Sequence, residues 1–121
     1  MRKDDRIRIR HMLDAAKEAI SFIKDKKRSD LDTDRKLVLS LVKSVEIMGE
    51  AASKVTKESR DRHPEVPWLN IIGMRNRLIH VYFDIDLDRV WDTITDDLPP
   101  VTAALETVVQ KEEKPSSLMK Q

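Results

Sequence analysis

Apolar residues recur every three to four positions along most of the chain, which is the spacing of one face of an α-helix. The first stripe of this kind consists of Ile9, Met12, Leu13, Ala16, Ile20 and Ile23. It predicts a helix from about residue 4 to about residue 25. A second and wider stripe consists of Leu37, Leu41, Val45, Met48, Ala52 and Val55, and it predicts a helix from about 32 to about 60. Its width indicates two packing partners, either two helices or one helix and a second subunit.

Prolines divide the second half of the chain. The sequence HPEVPW ends the second helix, and Pro67 suits the first turn of a third helix from about 67 to 82. Beyond Asp84 and Asp86, either of which could cap a helix, the helical period resumes and runs through Pro99 and Pro100. It predicts a long fourth helix that is kinked or broken at these prolines.

These patterns predict an all-α protein that folds as an antiparallel bundle of four to five helices. Only two glycines and no cysteine occur among its 121 residues, which argues against a loop-rich or disulfide-stapled scaffold. We expect the helical domain to occupy residues 1–112 and the last segment, residues 113–121, to be a flexible tail. No apolar run approaches the ~20 residues needed to cross a bilayer, so we expect a soluble, cytoplasmic protein that does not associate with membranes.

The segment GMRNRLIHVYFDID, residues 73–86, contains charged side chains where the pattern otherwise indicates a buried helix. At about 100° per residue, Arg75 falls on the same helix line as Trp68, Ile72, Ile79 and Tyr82. An arginine among apolar side chains must be paired, because an isolated buried charge costs several kcal/mol or more. The partner could be Glu46 or Glu50 of the second helix, or a bound anion.

His80 lies near the end of the same predicted helix. On an ideal helix it projects about 140° away from Arg75 and lies beside Asn76 and Arg77, while Gly73 leaves space on that face. A single histidine on a helix is more often a surface or packing residue than a functional one. The charged neighbours make a functional role worth testing.

Metal and phosphate-loop motifs are not found. Asp84, Asp86 and Asp88 imitate the first ligands of a calcium loop, but Arg89 stands where the loop needs glycine and Thr95 where it needs glutamate. The three histidines show no zinc-ligand spacing, and there is no glycine-rich phosphate loop. No motif therefore implies a metal or any other cofactor.

The octapeptide RNRLIHVY, residues 75–82, matches the pattern R-x4-H-x-Y. In this pattern the chain resembles HepT-like toxins of the HEPN superfamily, and so do the segments EIMGEAA, HPEVPWLNIIGMRNRLIH, DLDRVW and DDLPP. The resemblance covers roughly residues 4 to 110.

The resemblance implies the toxin of a type II/VII-like toxin–antitoxin pair, a metal-independent endoribonuclease whose partner is a minimal nucleotidyltransferase antitoxin. His80 would transfer protons, Arg75 would hold the phosphate, and Asn76 and Arg77 would orient the site and guide the RNA. The family forms homodimers in which two motifs face one cleft. The hydroxyl of Tyr82, two residues after the histidine, is the expected acceptor of AMP from the antitoxin.

Two other functions remain compatible with the sequence. The chain could be a non-catalytic helical partner that a nucleotidyltransferase binds and modifies, in which case Tyr82 would be its acceptor. It could also be a structural bundle with no ligand, although Arg75 in an apolar stripe disfavours that reading.

Overall fold

The structure is a computed structural model that describes residues 1–113, except for the side chain of Phe83. Within these residues the chain is helical, with α1 (Lys3–Phe22), α2 (Arg35–Lys54), α3 (Lys57–Arg62), α4 (Trp68–Leu78), α5 (Leu87–Asp92) and α6 (Leu98–Glu113). Short 3-10 turns occur at Arg28–Asp32 and Val81–Phe83. The prediction of an all-α bundle is confirmed. The predicted tail, residues 113–121, lies outside the described residues apart from Glu113.

Helix α2 lies at the centre of the bundle. It packs against α1 on one side and α4 on the other, and α1 packs in turn against α6. The apolar stripes predicted for the first two helices form much of the core, with Met12, Leu41, Val45 and Met48 buried. The wide stripe of α2 therefore serves two helix neighbours, which is one of the two arrangements expected from its width.

Gly49 sets how closely α2 and α4 approach. A Cβ atom placed on Gly49 would lie 3.2 Å from the carbonyl oxygen of Ile71 and 3.4 Å from that of Ile72. Those oxygens belong to the α4 backbone, which cannot move aside as a flexible side chain could. The missing side chain at Gly49 thus allows the close contact that brings Glu46, one turn earlier on α2, next to α4.

The predicted second helix, about 32 to 60, is divided in the structure. The chain is extended at Val55, and Thr56 begins α3 as its N-cap by accepting a hydrogen bond from the Ser59 amide. The cause is a distant residue, because the carboxylate of Asp5 on α1 accepts hydrogen bonds from both the amide and the hydroxyl of Thr56. Thr56 is thereby held outside the α2 helix.

The first helix also ends earlier than predicted, at Phe22, and Asp25 beyond it has a positive φ of 62°. The left-handed conformation is incompatible with a continued right-handed helix.

The proline pair lies inside the first turn of α6, and the helical path continues through it. The five residues Thr93–Asp97 join α5 to α6 as a π-helical turn, in which the Leu98 amide donates to the Thr93 carbonyl. The wider turn shifts the hydrogen-bond register immediately before Pro99 and Pro100, which have no amide hydrogen to donate. The predicted kink or break is therefore a local widening of the helix.

Among residues 1–113, none of the helices combines the length and the apolar composition that a membrane crossing requires.

Candidate active site

Arg75 lies on α4 at the edge of the buried face. The buried face itself is formed by Ile71, Met74 and Leu78, whereas the Arg75 side chain remains 38% exposed. The sequence placed Arg75 in an apolar stripe of a helix that looked buried, whereas in the structure this stripe faces the boundary between the core and solvent. A guanidinium there keeps part of its hydration, so its desolvation cost is smaller than for a buried ion.

Glu46 of α2 is the partner of Arg75. The Arg75 Nε donates to Glu46 Oε2 at 3.3 Å, and the other carboxylate oxygen is 3.0 Å from Lys43 Nζ. The pKa of Glu46 lies below its usual range, firstly because of the hydrogen bond from Lys43 and to a smaller extent because of the charges of Lys43 and Arg75, which outweigh partial burial. Glu50, the other candidate partner, instead pairs with Lys54 at 3.1 Å.

This ion pair uses only one of the donor nitrogens of Arg75. Within residues 1–113, the two terminal nitrogens of its guanidinium have no hydrogen-bond partner. An arginine offers five N–H donors in a planar fork that suits phosphate oxygens. Glu46 therefore fixes the base of the guanidinium while its outer edge remains available.

Helix α4 ends at Leu78, four residues before the predicted end. In a continued helix the Leu78 carbonyl would accept from the Tyr82 amide. It accepts instead from the amide of Asp86 at 2.8 Å, while the His80 amide donates to the Asp84 carbonyl at 2.7 Å. These two bonds close a loop over residues 79–86, which we call the motif loop, and a bridge between Ile79 and Ile85 joins its two sides.

His80 lies on the motif loop and not on a helix, so its predicted place beside Asn76 and Arg77 is wrong. Its side chain is 54% exposed and lies between two carboxylates. Nδ1 is 3.9 Å from Asp84 Oδ2, and Nε2 is 3.6 Å from Asp86 Oδ2. Both separations are longer than a hydrogen bond. The imidazole is therefore accessible to solvent and lies close to two carboxylates.

Asp86 has a second role that the sequence did predict. Its Oδ1 accepts a hydrogen bond of 3.0 Å from the Arg89 amide and so caps α5. A capping carboxylate is held in one rotamer by the helix that it caps. Asp86 thus faces His80 from a fixed position. From the sequence, Asp84 and Asp86 were identified as possible helix caps and not as neighbours of His80.

Arg77 and Asn76 occupy the exposed side of α4. Arg77 Nη2 donates to the Asn70 carbonyl at 2.8 Å, so the side chain runs back along its own helix. The space above Gly73 accommodates it, because a Cβ atom there would lie 3.3 Å from Arg77 Nη1. The structure thus directs Arg77 away from His80. Asn76 is exposed and shows no described side-chain hydrogen bond within residues 1–113.

Tyr82 forms the tip of the motif loop. Its side chain is 94% exposed, and its backbone is left-handed, with φ 56° and ψ 40°. A residue with a Cβ atom in this region costs roughly 1–2 kcal/mol relative to the right-handed conformation. The sequence predicted that Tyr82 shares a helix line with Arg75. This prediction is wrong, because Tyr82 lies beyond the end of α4. Its neighbour Val81 is also exposed.

The candidate residues fall into two groups. Arg75, Glu46 and Lys43 form one ionic cluster between α4 and α2, whereas His80 lies with Asp84 and Asp86 on the motif loop. Within residues 1–113, neither a hydrogen bond nor an ion pair joins the two groups. Lys43 was not identified from the sequence, since nothing in its spacing distinguishes it from the other surface lysines.

A groove of about 560 Å³ extends from Glu46 between α1 and α2. Its apolar surface comes from the exposed side chains of Ile7 and Ile47. A second groove of about 320 Å³ continues along the same two helices and is lined by Phe22 and Leu39, which are also exposed. An apolar strip therefore borders the Glu46–Arg75 pair.

Comparison with known proteins gives the class to which this fold and motif belong. The profile of the family described as ribonuclease HepT-like matches residues 12–108. The chain therefore belongs to the HepT-like ribonuclease family, as the R-x4-H-x-Y motif predicted, and it is a ribonuclease of the HEPN kind.

Individual relatives agree with this assignment. The chain is 36% identical over 110 residues to "Putative RNase TTE0752" of Caldanaerobacter subterraneus subsp. tengcongensis, a match that covers 91% of this chain and 98% of the relative. It is 33% identical over 93 residues to "Probable ribonuclease HepT" of Thermococcus cleftensis, covering 74% of this chain and 84% of the relative. No solved structure gives a significant match.

Proposed function

We propose that this protein is the toxin of a toxin–antitoxin pair and that it cuts RNA internally without a metal ion. The observation that carries the proposal is the half-buried Arg75 of the family motif, whose guanidinium is fixed by Glu46 at one nitrogen and open at its outer edge. That edge can hold two phosphate oxygens where negative charge accumulates during cleavage. The substrate and the reaction then follow from the other motif residues.

In the proposed reaction, a ribose 2′-oxygen bonds to the adjacent phosphorus and the bond from phosphorus to the 5′-oxygen breaks. The 2′-hydroxyl proton passes to a neutral imidazole of His80, and a cationic imidazole gives a proton to the leaving 5′-oxygen. The products are a 2′,3′-cyclic phosphate and a 5′-hydroxyl. Asn76 and Arg77 contact the RNA backbone on the exposed side of α4.

The two proton transfers occur on opposite sides of the phosphate, so a single His80 does not serve both readily. We therefore propose a twofold homodimer in which each subunit supplies one His80. The exposed apolar strip of α1 and α2, with Ile7 and Ile47 beside Glu46, supports this proposal because burying it against a second copy would remove apolar surface from water.

The proposed partner is a nucleotidyltransferase antitoxin that transfers AMP to Tyr82. The exposure of the Tyr82 ring supports this assignment, since an enzyme could reach its hydroxyl without unfolding the motif loop. The transfer would form a bond between that oxygen and the α-phosphorus of ATP, with pyrophosphate as the leaving group. The test is coexpression followed by intact mass spectrometry, and an adenylyl increment that persists in Tyr82→Phe would refute the assignment.

The nuclease proposal is tested by cleavage of RNA in EDTA. Wild-type protein should release fragments with cyclic phosphate ends, and Arg75→Ala and His80→Ala should lose about a hundredfold or more in rate while staying folded. Arg89→Ala, on the exposed side of α5, is a matched control for removing a surface cation. Equal cleavage by wild type and His80→Ala would assign the activity to another site or to a contaminant.

A second candidate function is a non-catalytic partner that a nucleotidyltransferase binds and modifies. It is favoured by one observation, the exposure of Tyr82 at the tip of the motif loop. This reading predicts adenylylation of Tyr82 in a protein that shows no cleavage in EDTA and no difference between wild type and His80→Ala.

A further inference from the structure

The tip of the motif loop presents an aromatic ring to solvent in a way that packing does not explain. Tyr82 is 94% exposed, whereas the indole of Trp68 is buried and donates to the His63 carbonyl at 3.0 Å. An aromatic side chain that contributes to the core would resemble Trp68. The Tyr82 ring instead leaves its apolar faces open to solvent, where a planar ligand can reach them.

The backbone beneath this ring is held in place. The amide of His80 donates to the Asp84 carbonyl at 2.7 Å, and the amide of Asp86 donates to the Leu78 carbonyl at 2.8 Å, so both sides of the loop are pinned. Tyr82 adopts the left-handed conformation at the turn, a position that glycine or asparagine would occupy with less strain. A strained residue at an exposed tip points to a use for its side chain.

We propose that the Tyr82 ring is a stacking platform for an unpaired nucleobase next to the phosphate that is cut, so that the substrate is single-stranded RNA. This inference rests on the proposed ribonuclease function and adds the substrate class to it. Bases in an RNA duplex are covered by their neighbours, whereas those in single strands can be splayed out and stacked on aromatic side chains. Tyr82 lies two residues beyond His80, close enough in the chain for one nucleotide to contact both.

The charge of the motif loop supports a stacking contact over an ionic one. Two carboxylates, Asp84 and Asp86, flank His80 on this loop, and they repel the phosphates of a nucleic acid. A neutral ring can stack on a nucleobase despite the negative charge of the loop, and it can do so with any of the bases. Arg75 on α4 holds the phosphate in this arrangement, and Tyr82 holds the base beside it.

The test compares variants that remove the ring with one that keeps it. Tyr82→Gly and Tyr82→Asn remove the ring and suit the left-handed backbone, while Tyr82→Phe keeps the ring and removes only the hydroxyl. Leu69→Ala, an exposed apolar position at the far end of α4, is the matched control. Each protein is assayed for KM and kcat on one RNA sequence, offered as a single strand and as a duplex.

We expect cleavage of the single strand and not of the duplex. Loss of the ring should raise KM by about 5- to 150-fold, the loss typical of one base stack, with a smaller change in kcat. Tyr82→Phe should restore most of that loss, and Leu69→Ala should match wild type. A KM that is the same in Tyr82→Gly and Tyr82→Asn as in wild type, or cleavage of the duplex as fast as of the single strand, would overturn the proposal.

A binding measurement separates this proposal from the nuclease proposal. The probe is a short single-stranded RNA that cannot be cut, because its attacking nucleotide is a 2′-deoxynucleotide, and that carries 2-aminopurine beside the blocked position. Wild type and Tyr82→Phe should quench its fluorescence, and Tyr82→Gly should not. Quenching that depends on the ring in a protein that never cleaves RNA would uphold the platform and refute the nuclease.

Sedimentation of the same variants distinguishes a platform from a subunit contact. Tyr82→Gly should have the same oligomeric state as Tyr82→Phe at the concentrations used in the cleavage assay. If removal of the ring alone dissociated the protein, Tyr82 would be a contact between copies and the platform would be refuted.

Discussion

Asp5 offers the sharpest test of how this fold is held together. Its carboxylate is fully buried at the start of α1 and accepts hydrogen bonds from the Thr56 amide at 3.1 Å, the Thr56 hydroxyl at 2.6 Å and the Ser59 hydroxyl at 2.6 Å. Arg8 Nη1 lies 3.8 Å away. The perturbation is Asp5→Ala, which removes the acceptor from all three donors at once.

The expected loss is large because one carboxylate is the shared acceptor of three donors, and the Ser59 hydroxyl is buried together with it. Each hydrogen bond to a charged group contributes about 1.5–3 kcal/mol net, but removing the carboxylate also removes its own desolvation cost. Breaking a buried ionic network in this way costs about 3–5 kcal/mol in measured cases. For a domain of this size, each kcal/mol lowers Tm by about 4 °C, so we expect a decrease of about 12–20 °C.

The assay is urea unfolding monitored by circular dichroism, with Asp4→Ala as the matched control. Asp4 is the preceding residue on the same helix, and its side chain is exposed, so its loss should change the free energy of unfolding by less than about 0.5 kcal/mol. The slope of the unfolding transition should stay constant across the three proteins, because the surface exposed on unfolding is the same.

The same residue predicts how stability depends on pH. Burial, the largest influence, raises the pKa of Asp5, but the hydrogen bonds from Ser59 and Thr56 and the charge of Arg8 together lower it below its ordinary value. Its stabilising contribution is therefore complete above the unfolded-state pKa of about 3.9 and is lost as pH falls through the lower folded-state pKa. Wild type and Asp5→Ala should differ most at neutral pH and converge in acid.

Two results would contradict this reasoning. A loss below about 1 kcal/mol for Asp5→Ala at neutral pH would mean that water or a rearranged neighbour satisfies the three donors. A difference between wild type and Asp5→Ala that grows as pH falls from 5 would mean that the folded state raises the pKa of Asp5.

Two further predictions concern the α2–α4 contact and the proposed dimer. Gly49→Ala should destabilise the protein by about 1–2 kcal/mol in urea unfolding, because the added Cβ atom meets the α4 backbone. Gly73→Ala should stabilise it by about 0.5–1 kcal/mol, because the added Cβ atom meets only the flexible Arg77 side chain. The reverse order of stability would refute the packing argument. Ile47→Asp should shift the protein from dimer to monomer in sedimentation at micromolar concentration, while Leu69→Asp, at another exposed apolar position, should not. An unchanged dimer in Ile47→Asp would remove the α1–α2 strip from the interface.

The sequence predicts the helices of this fold well and their ends poorly. The helical period identifies α1, α2 and α4 because an apolar stripe is visible in the spacing of residues along one segment of the chain. The break between α2 and α3 depends on Asp5, which is 51 positions from Thr56 in the chain. No local pattern contains that contact, so a prediction made from spacing alone continued the helix through it.

The candidate site divides in the same way. The motif named Arg75, His80 and Tyr82 by their order along the chain, and the family that it indicated is confirmed. Their geometry was wrong in the prediction, because an ideal helix was extended to Tyr82. The end of α4 at Leu78 depends on the amide of Asp86, which takes the carbonyl that helix continuation needs.

The early end of α4 has a chemical consequence for the proposed site. On a continued helix, His80 would project about 140° away from Arg75, so the two side chains could not readily meet the same phosphate. On the motif loop, the position of His80 is set by backbone bonds at Asp84 and Asp86, and is no longer tied to the rotation of α4. Arg75 keeps its helical position through Glu46. The two side chains are thus fixed by separate elements, so substitutions at Glu46 should alter phosphate binding without moving His80, and substitutions in the motif loop should alter proton transfer without moving Arg75.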